Sequence, residues 1–249
     1  MATVADRTTV SRATARMRAD RIFYSSVPIV VAAIVFTGFA PSWFLRPMLA
    51  TPTMDPLTLI SAMHGAVFTS WIALTIVQPL LIASGHRKLH RSLGYVGAGI
   101  AAAMVVLIVL ATAQSMKIGT PPVFPTPTAF FAVNMTGLVS FATIVALAIA
   151  KRRDAEAHKR LILLSLVVLM APALARMPAL QPWMPFSAFA TPDWVILAGI
   201  VYDIRTRGRV HRVWTIGGPL LIASQVLMFP LGLMPFMRVL GEWAMRLPV

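Results

Sequence analysis

The stretch GYVGAGIAAAMVVLIVLATA, residues 94–113, carries no charge over a length that crosses the core of a bilayer. About 18 apolar residues suffice for a spanning helix, and runs of this kind recur along the chain. Only 12% of the residues are charged and 58% are hydrophobic, where a soluble domain carries about 25% charged residues. No soluble core of this size can bury so much apolar surface. The chain therefore reads as an all-α, polytopic membrane protein.

Seven spans are predicted, at about Ile22–Ala40, from MDPL to Ser84, Leu93–Met116, Pro127–Ala150, His158–Arg176, Phe186–Tyr202 and Val210–Met234. Asp55 is the expected cap of the second, with Pro56 at its first helical position. Thr191 and Pro192 are expected to restart or cap the sixth. The links GTPPVFPTPT and MPALQPWMPF hold too many prolines to be helical throughout. Residues 1–21 read as a basic cytoplasmic tail, although an Arg-rich, acid-poor start also resembles a transit peptide. Residues 22–236 form the transmembrane domain, and 237–249 an amphipathic segment at the interface.

Orientation follows from the cations. With the N-terminus inside, 17 of the 22 Lys and Arg residues face the cytoplasm, leaving Arg46, Lys117, Arg176, Arg238 and Arg246 outside. Positive charge concentrates in cytoplasmic loops, so the topology is N-in and C-out, with three helical hairpins after a first span, in an inner membrane. The net charge of +14 is thereby spent on topology and anionic lipid at the basic loops, and nucleic acid is not an expected partner. With no cysteine in the chain, disulfides, iron–sulfur clusters and thiolate metal sites are excluded.

Each hairpin turns through a loop that ends in a histidine beside a cation: LHRSLG, AHKRLI and VHRVWT. His90, His158 and His211 thus share a depth, and each is followed seven residues later by a small residue, Gly97, Ser165 or Gly218. Three neutral imidazoles suit zinc, copper or iron. Asp203, eight residues before His211, is the available carboxylate, as a ligand or as a group behind the ligands. Haem is the competing cofactor, with Gly94 and Gly97 making room for a flat ring and Arg91 and Arg212 meeting propionates. The plainer alternative is that these are interfacial residues bonding headgroups or loop carbonyls, and that the glycines serve close packing. His86, in the same loop as His90, reads as solvated.

His64 lies about eight residues into the second span, roughly 12 Å along the helix, and belongs to the outer half. Its face continues through Phe68, Trp71, Thr75 and Gln78. Polar groups at such depth point to partners or cavities. His64 is therefore a candidate ligand at a separate outer site or a proton carrier. Gln78, Asn134 and Gln225 read as hydrogen-bonding glue between helices.

The stretch from His64 through HRSLGYVG resembles a pattern in bacterial multi-pass membrane proteins, where a histidine in one helix precedes an HR-x-x-G opening of the next. It also distantly resembles membrane-embedded b-type cytochromes, over residues 60–100. That resemblance implies haem ligation by His64 and His90 and transfer of electrons to a membrane redox partner. The departure is that no second deep histidine pairs with His64. The leading expectation is a redox-linked haem or metal site near the cytoplasmic face, of a kind that suits a membrane oxidoreductase or a metal-dependent enzyme. A proton-coupled carrier using the polar stripe of the second span, and a non-catalytic accessory subunit, are the alternatives.

Overall fold

A computed structural model describes residues 4–249 except 50, 53, 55, 122 and 123, with side chains described from residue 14 onward. Among the described residues every regular element is helical. The helices are α1 (Val4–Phe39), α2 (Arg46–Leu49), α3 (Leu59–Ala83), α4 (Arg87–Ile118), α5 (Pro127–Ala150), α6 (Ala155–Leu174), α7 (Phe186–Ala190), α8 (Trp194–Arg207), α9 (Gly218–Leu231) and α10 (Pro235–Met245). A π-turn, Ala40–Phe44, extends α1, and another, Val213–Gly217, leads into α9.

Among the described residues six segments are long and apolar enough to cross a membrane: Thr14–Phe44, α3, α4, α5, α6 and Val213–Leu231. The sixth predicted span is not one helix. It comprises α7, a 3-10 turn at Thr191–Asp193 and the 14-residue α8. Pro192 has no N–H to give the ladder and crowds the preceding turn, so the chain restarts where Thr191 and Pro192 announce it.

Side-chain oxygens cap α3, α5 and α6. Thr58 accepts from the Ser61 N–H at 3.2 Å, Thr126 from Ala129 at 3.1 Å, and Asp154 from Glu156 and Ala157 at 3.1 Å each. Each satisfies an amide that the first turn leaves free. The expected cap at Asp55 lies outside the described residues. Pro56 precedes the helix instead of opening it, and Thr58 is the cap. Gly85 and Gly208 take the left-handed conformation, φ +86° and +68°, at the turns that end α3 and α8.

The α6 helix is the hub. Its apolar window is 61% buried, against 17–33% for the other five. It packs against α1, α5 and α8, and Gly38 of α1 lets the two backbones approach at Ala173. The other helices expose large apolar side chains, among them Val106, Val139, Leu220 and Val226. Hydroxyls on these faces are hidden by their own helix: Ser26, Thr37 and Ser70 each donate to the carbonyl four residues back at 2.8 Å. A lipid-facing helix satisfies polar groups in this way.

The α10 helix buries Met237, Gly241 and Ala244 against α4 and α5. Lys117 at the end of α4 donates to the Leu247 carbonyl at 2.5 Å, which ties the C-terminal segment to that end of the bundle.

Candidate functional site

The loop-end histidines separate into two places. His90, in the first turn of α4, and His158, in the first turn of α6, meet with ring centres 6.5 Å apart and planes at 89°. The His158 Nδ1–H donates to the Ala148 carbonyl at 2.8 Å, because the short α5–α6 turn folds α6 back against the end of α5. A carbonyl only accepts, so the lone pair of the neutral ring lies on Nε2. His90 lies beside the backbone carbonyl of Gln78, and its Nδ1 is buried with no hydrogen-bond partner. His158 is thus held by a main-chain carbonyl, and His90 keeps a nitrogen without a partner.

His211 belongs elsewhere. Its backbone N–H donates to Asp203 Oδ2 at 3.1 Å, and its Nδ1 accepts from the Val213 N–H at 3.2 Å. Asp203 is occupied by Arg160, whose Nε donates to Oδ2 at 2.9 Å and whose Nη2 donates to Oδ1. Both side chains are 0% exposed. Among the described residues no three His, Asp or Glu side chains are placed to hold one metal ion. His90, His158, His211 and Asp203 do not form the single centre that their shared depth suggests: Asp203 is committed to a guanidinium and an amide before any metal.

That ion pair is the core of a network unmarked by any motif. Arg160 Nη1 also donates to the Glu156 carboxylate at 2.7 Å. Lys159 reaches Glu156 and Asp20, both at 2.8 Å. Arg207 donates to Asp20 at 2.8 Å and to Glu156 at 3.1 Å, and the Tyr202 hydroxyl donates to Asp20. Asp20, Glu156 and Asp203 thus face Lys159, Arg160 and Arg207, with Arg16 at the exposed edge 3.8 Å from Glu156, joining α1, α6 and α8. The readable signal was Glu156 and Arg160 four residues apart on one helix, with Lys159 between. His211 borders this network. Its pKa lies below the ordinary 6.5, first because burial disfavours the cation and then because Arg160 repels it.

At the other end of the bundle, His64 stacks on Phe68 with ring centres 4.0 Å apart. It lies beside the Leu107 carbonyl and keeps a buried, unpartnered Nδ1. Thr58 and Gln114 bond at 2.7 Å just beyond it. Fourteen residues of α3 separate His64 from Gln78, the neighbour of His90, or about 21 Å of helix. One iron cannot take both His64 and His90.

Gln225 bonds Asp193 across helices at 3.2 Å, as glue does. Asn134 donates within its own helix, to Phe130 at 2.8 Å. Gln78 leaves Oε1 buried and unpartnered.

Fold and site together define a multi-pass α-helical membrane protein with polar assemblies at both ends of its bundle. No known protein family, curated protein or solved structure matches the chain.

Proposed function

We propose that the chain crosses the inner membrane seven times, N-in and C-out, and carries a transition metal or haem iron on His90 and His158, in a redox-linked role beside a membrane partner. The observation that carries the metal reading is the paired imidazoles. Metal–nitrogen bonds of about 2.0–2.1 Å put the ring centres of two imidazoles on one metal roughly 5–6.5 Å apart, the upper end being a near-linear arrangement. The 6.5 Å separation lies at that end. Ligating histidines almost always give their other ring N–H to a carbonyl or carboxylate, and for His158 the Ala148 carbonyl takes that part. His90 and His158 would hold haem iron or a transition-metal ion, which would supply one-electron redox chemistry.

The composite of α7, the 3-10 turn and α8 supplies the seventh crossing, since α8 alone extends about 21 Å. The exposed cations Arg18, Arg21, Arg152, Arg153, Arg205, Arg209 and Arg212 would meet anionic headgroups.

Visible spectra and metal analysis of detergent-purified protein test this. A Soret band, or stoichiometric iron, copper or zinc, is expected, and is lost in His90→Ala and in His158→Ala but kept in His86→Ala and His211→Ala. Colourless, metal-free protein, or metal retained in both His90→Ala and His158→Ala, overturns the proposal. The carrier reading has one observation of its own, the unpartnered polar atoms along α3.

A further inference from the structure

Among the described residues, seven buried side-chain polar atoms have no hydrogen-bond partner. Four lie on one line: His64 Nδ1, Trp71 Nε1, Gln78 Oε1 and His90 Nδ1. His64, Trp71 and Gln78 are seven residues apart on α3, two helical turns each, and so share a face about 10.5 Å apart in height. Thr75, 5% exposed, sits between the last two on the same face.

That face points inward. The antiparallel α4 runs beside it, with His64 at Leu107, Leu74 at Gly97 and Gln78 at His90. Trp71 is 4% exposed and meets Phe141 of α5 edge to face at 5.5 Å. The line therefore passes between α3, α4 and α5, from His64 at one end to the His90–His158 pair of α4 and α6 at the other.

An unpartnered polar group inside a membrane protein is costly. One such group is a local defect, but three at two-turn intervals along one seam form a row of donors and acceptors. The occupant that serves an indole N–H, an amide oxygen and an imidazole nitrogen alike is water, which both donates and accepts. Ionisable and polar side chains placed this way are characteristic of proton routes through membranes.

We propose that this face of α3 lines a hydrated, proton-conducting column from His64 to the His90–His158 pair. At the outer end His64 Nδ1 takes a proton from water and returns it from the same atom to the column. The Trp71 N–H donates to a water oxygen and Gln78 Oε1 accepts from a water, orienting the chain between. At the inner end the column passes Gln78 and ends beside the His90–His158 pair. No bond other than O–H and N–H forms or breaks, and no redox partner is needed. The conducting groups are those of α3, so the column does not depend on what His90 and His158 hold.

The native chain has no cysteine, so single cysteines can be read without background. Thr75→Cys and Gln78→Cys in the full-length protein in liposomes should react with a hydrophilic methanethiosulfonate at least tenfold faster than Val77→Cys and Leu80→Cys, which face lipid, because the thiolate forms only in contact with water. Equal rates overturn the column. Proton uptake driven by a potassium diffusion potential should exceed that of protein-free vesicles and fall at least tenfold in Gln78→Leu. Wild-type uptake no faster than empty vesicles, or uptake unchanged in Gln78→Leu, overturns conduction. Uptake is read in vesicles and metal content in purified protein, so this test and that of the metal site fail separately.

Discussion

Replacing Asp203 by asparagine removes one charge and almost no volume, and it attacks the most buried ion pair among the described residues. Asp203 takes two buried bonds from Arg160 and a partly buried one from the His211 amide. In the variant Arg160 remains buried and charged, with Glu156 as its remaining carboxylate. Breaking a buried pair from one side typically costs about 3–5 kcal/mol. The surviving Glu156 contact argues for the lower end, about 3 kcal/mol. The double variant Arg160→Met/Asp203→Leu removes both charges, and is expected to be more stable than Asp203→Asn, since an apolar pair of similar volume is often neutral or stabilising. The control is Glu242→Gln, which breaks the Arg238–Glu242 pair, 71% and 55% exposed at 3.8 Å. Exposed pairs are worth about 0–1 kcal/mol. The assay is reversible unfolding in mixed micelles titrated with SDS, read by circular dichroism. An Asp203→Asn loss no larger than that of Glu242→Gln would refute the reasoning, as would a double variant less stable than the single one.

Two glycines should respond oppositely to alanine. A Cβ on Gly38 would lie 2.2 Å from the Ala173 carbonyl oxygen, backbone that cannot swing away, so Gly38→Ala should destabilise by about 1–3 kcal/mol in the same unfolding assay. A Cβ on Gly94 meets nothing within 4 Å, so Gly94→Ala should be neutral or stabilising by up to about 1 kcal/mol through helix propensity. For His211 the folded pKa is below 6.5, so the unfolded chain binds more protons between the two values. Stability should therefore fall as pH drops below 6.5 and level off beneath the folded pKa. The part of that slope lost in His211→Asn measures it, and an identical pH dependence in the variant would count against the burial of this ring.

The crossing segments were legible because a bilayer demands long apolar runs whatever the tertiary packing, and α5 runs from Pro127 to Ala150 as the sequence predicts. Helix starts were less so. Asp154 caps α6 and Thr58 caps α3, but the helices begin within their basic or polar flanks, where hydropathy is silent. α4 starts at Arg87, ahead of the predicted Leu93, which places His90 inside its first turn. The pairing of His90 with His158 was foreshadowed by the repeated loop endings. That His211 stands apart was not, because its position depends on Asp203, which is held by Arg160, 43 residues away in sequence. Arg160, Lys159 and Arg207 read as topology charges, and nothing local distinguishes a loop cation facing water from one turned into the bundle. The unpartnered atoms of α3 lie on the face that periodicity identified, but whether Gln78 finds a partner is decided by its neighbours.

The first turn of α6 joins these results. His158 and Arg160 are two residues apart, about 200° around the helix, so they leave on nearly opposite sides. His158 turns to α4 and the end of α5, while Arg160 turns to α8. Glu156 and Lys159 continue the same turn toward Asp20 of α1. A single helical turn thus wedges between the imidazole pair and the ion network, and the rotation of α6 that satisfies one sets the geometry of the other. The three histidine-ended loops therefore do different work despite similar sequence. His90 and His158 face each other because their helices flank α5, whereas the third loop is hooked by its backbone to a carboxylate that Arg160 already holds. A position read as one repeat of three is a pair and an anchor, and α6 is the element that keeps both in place.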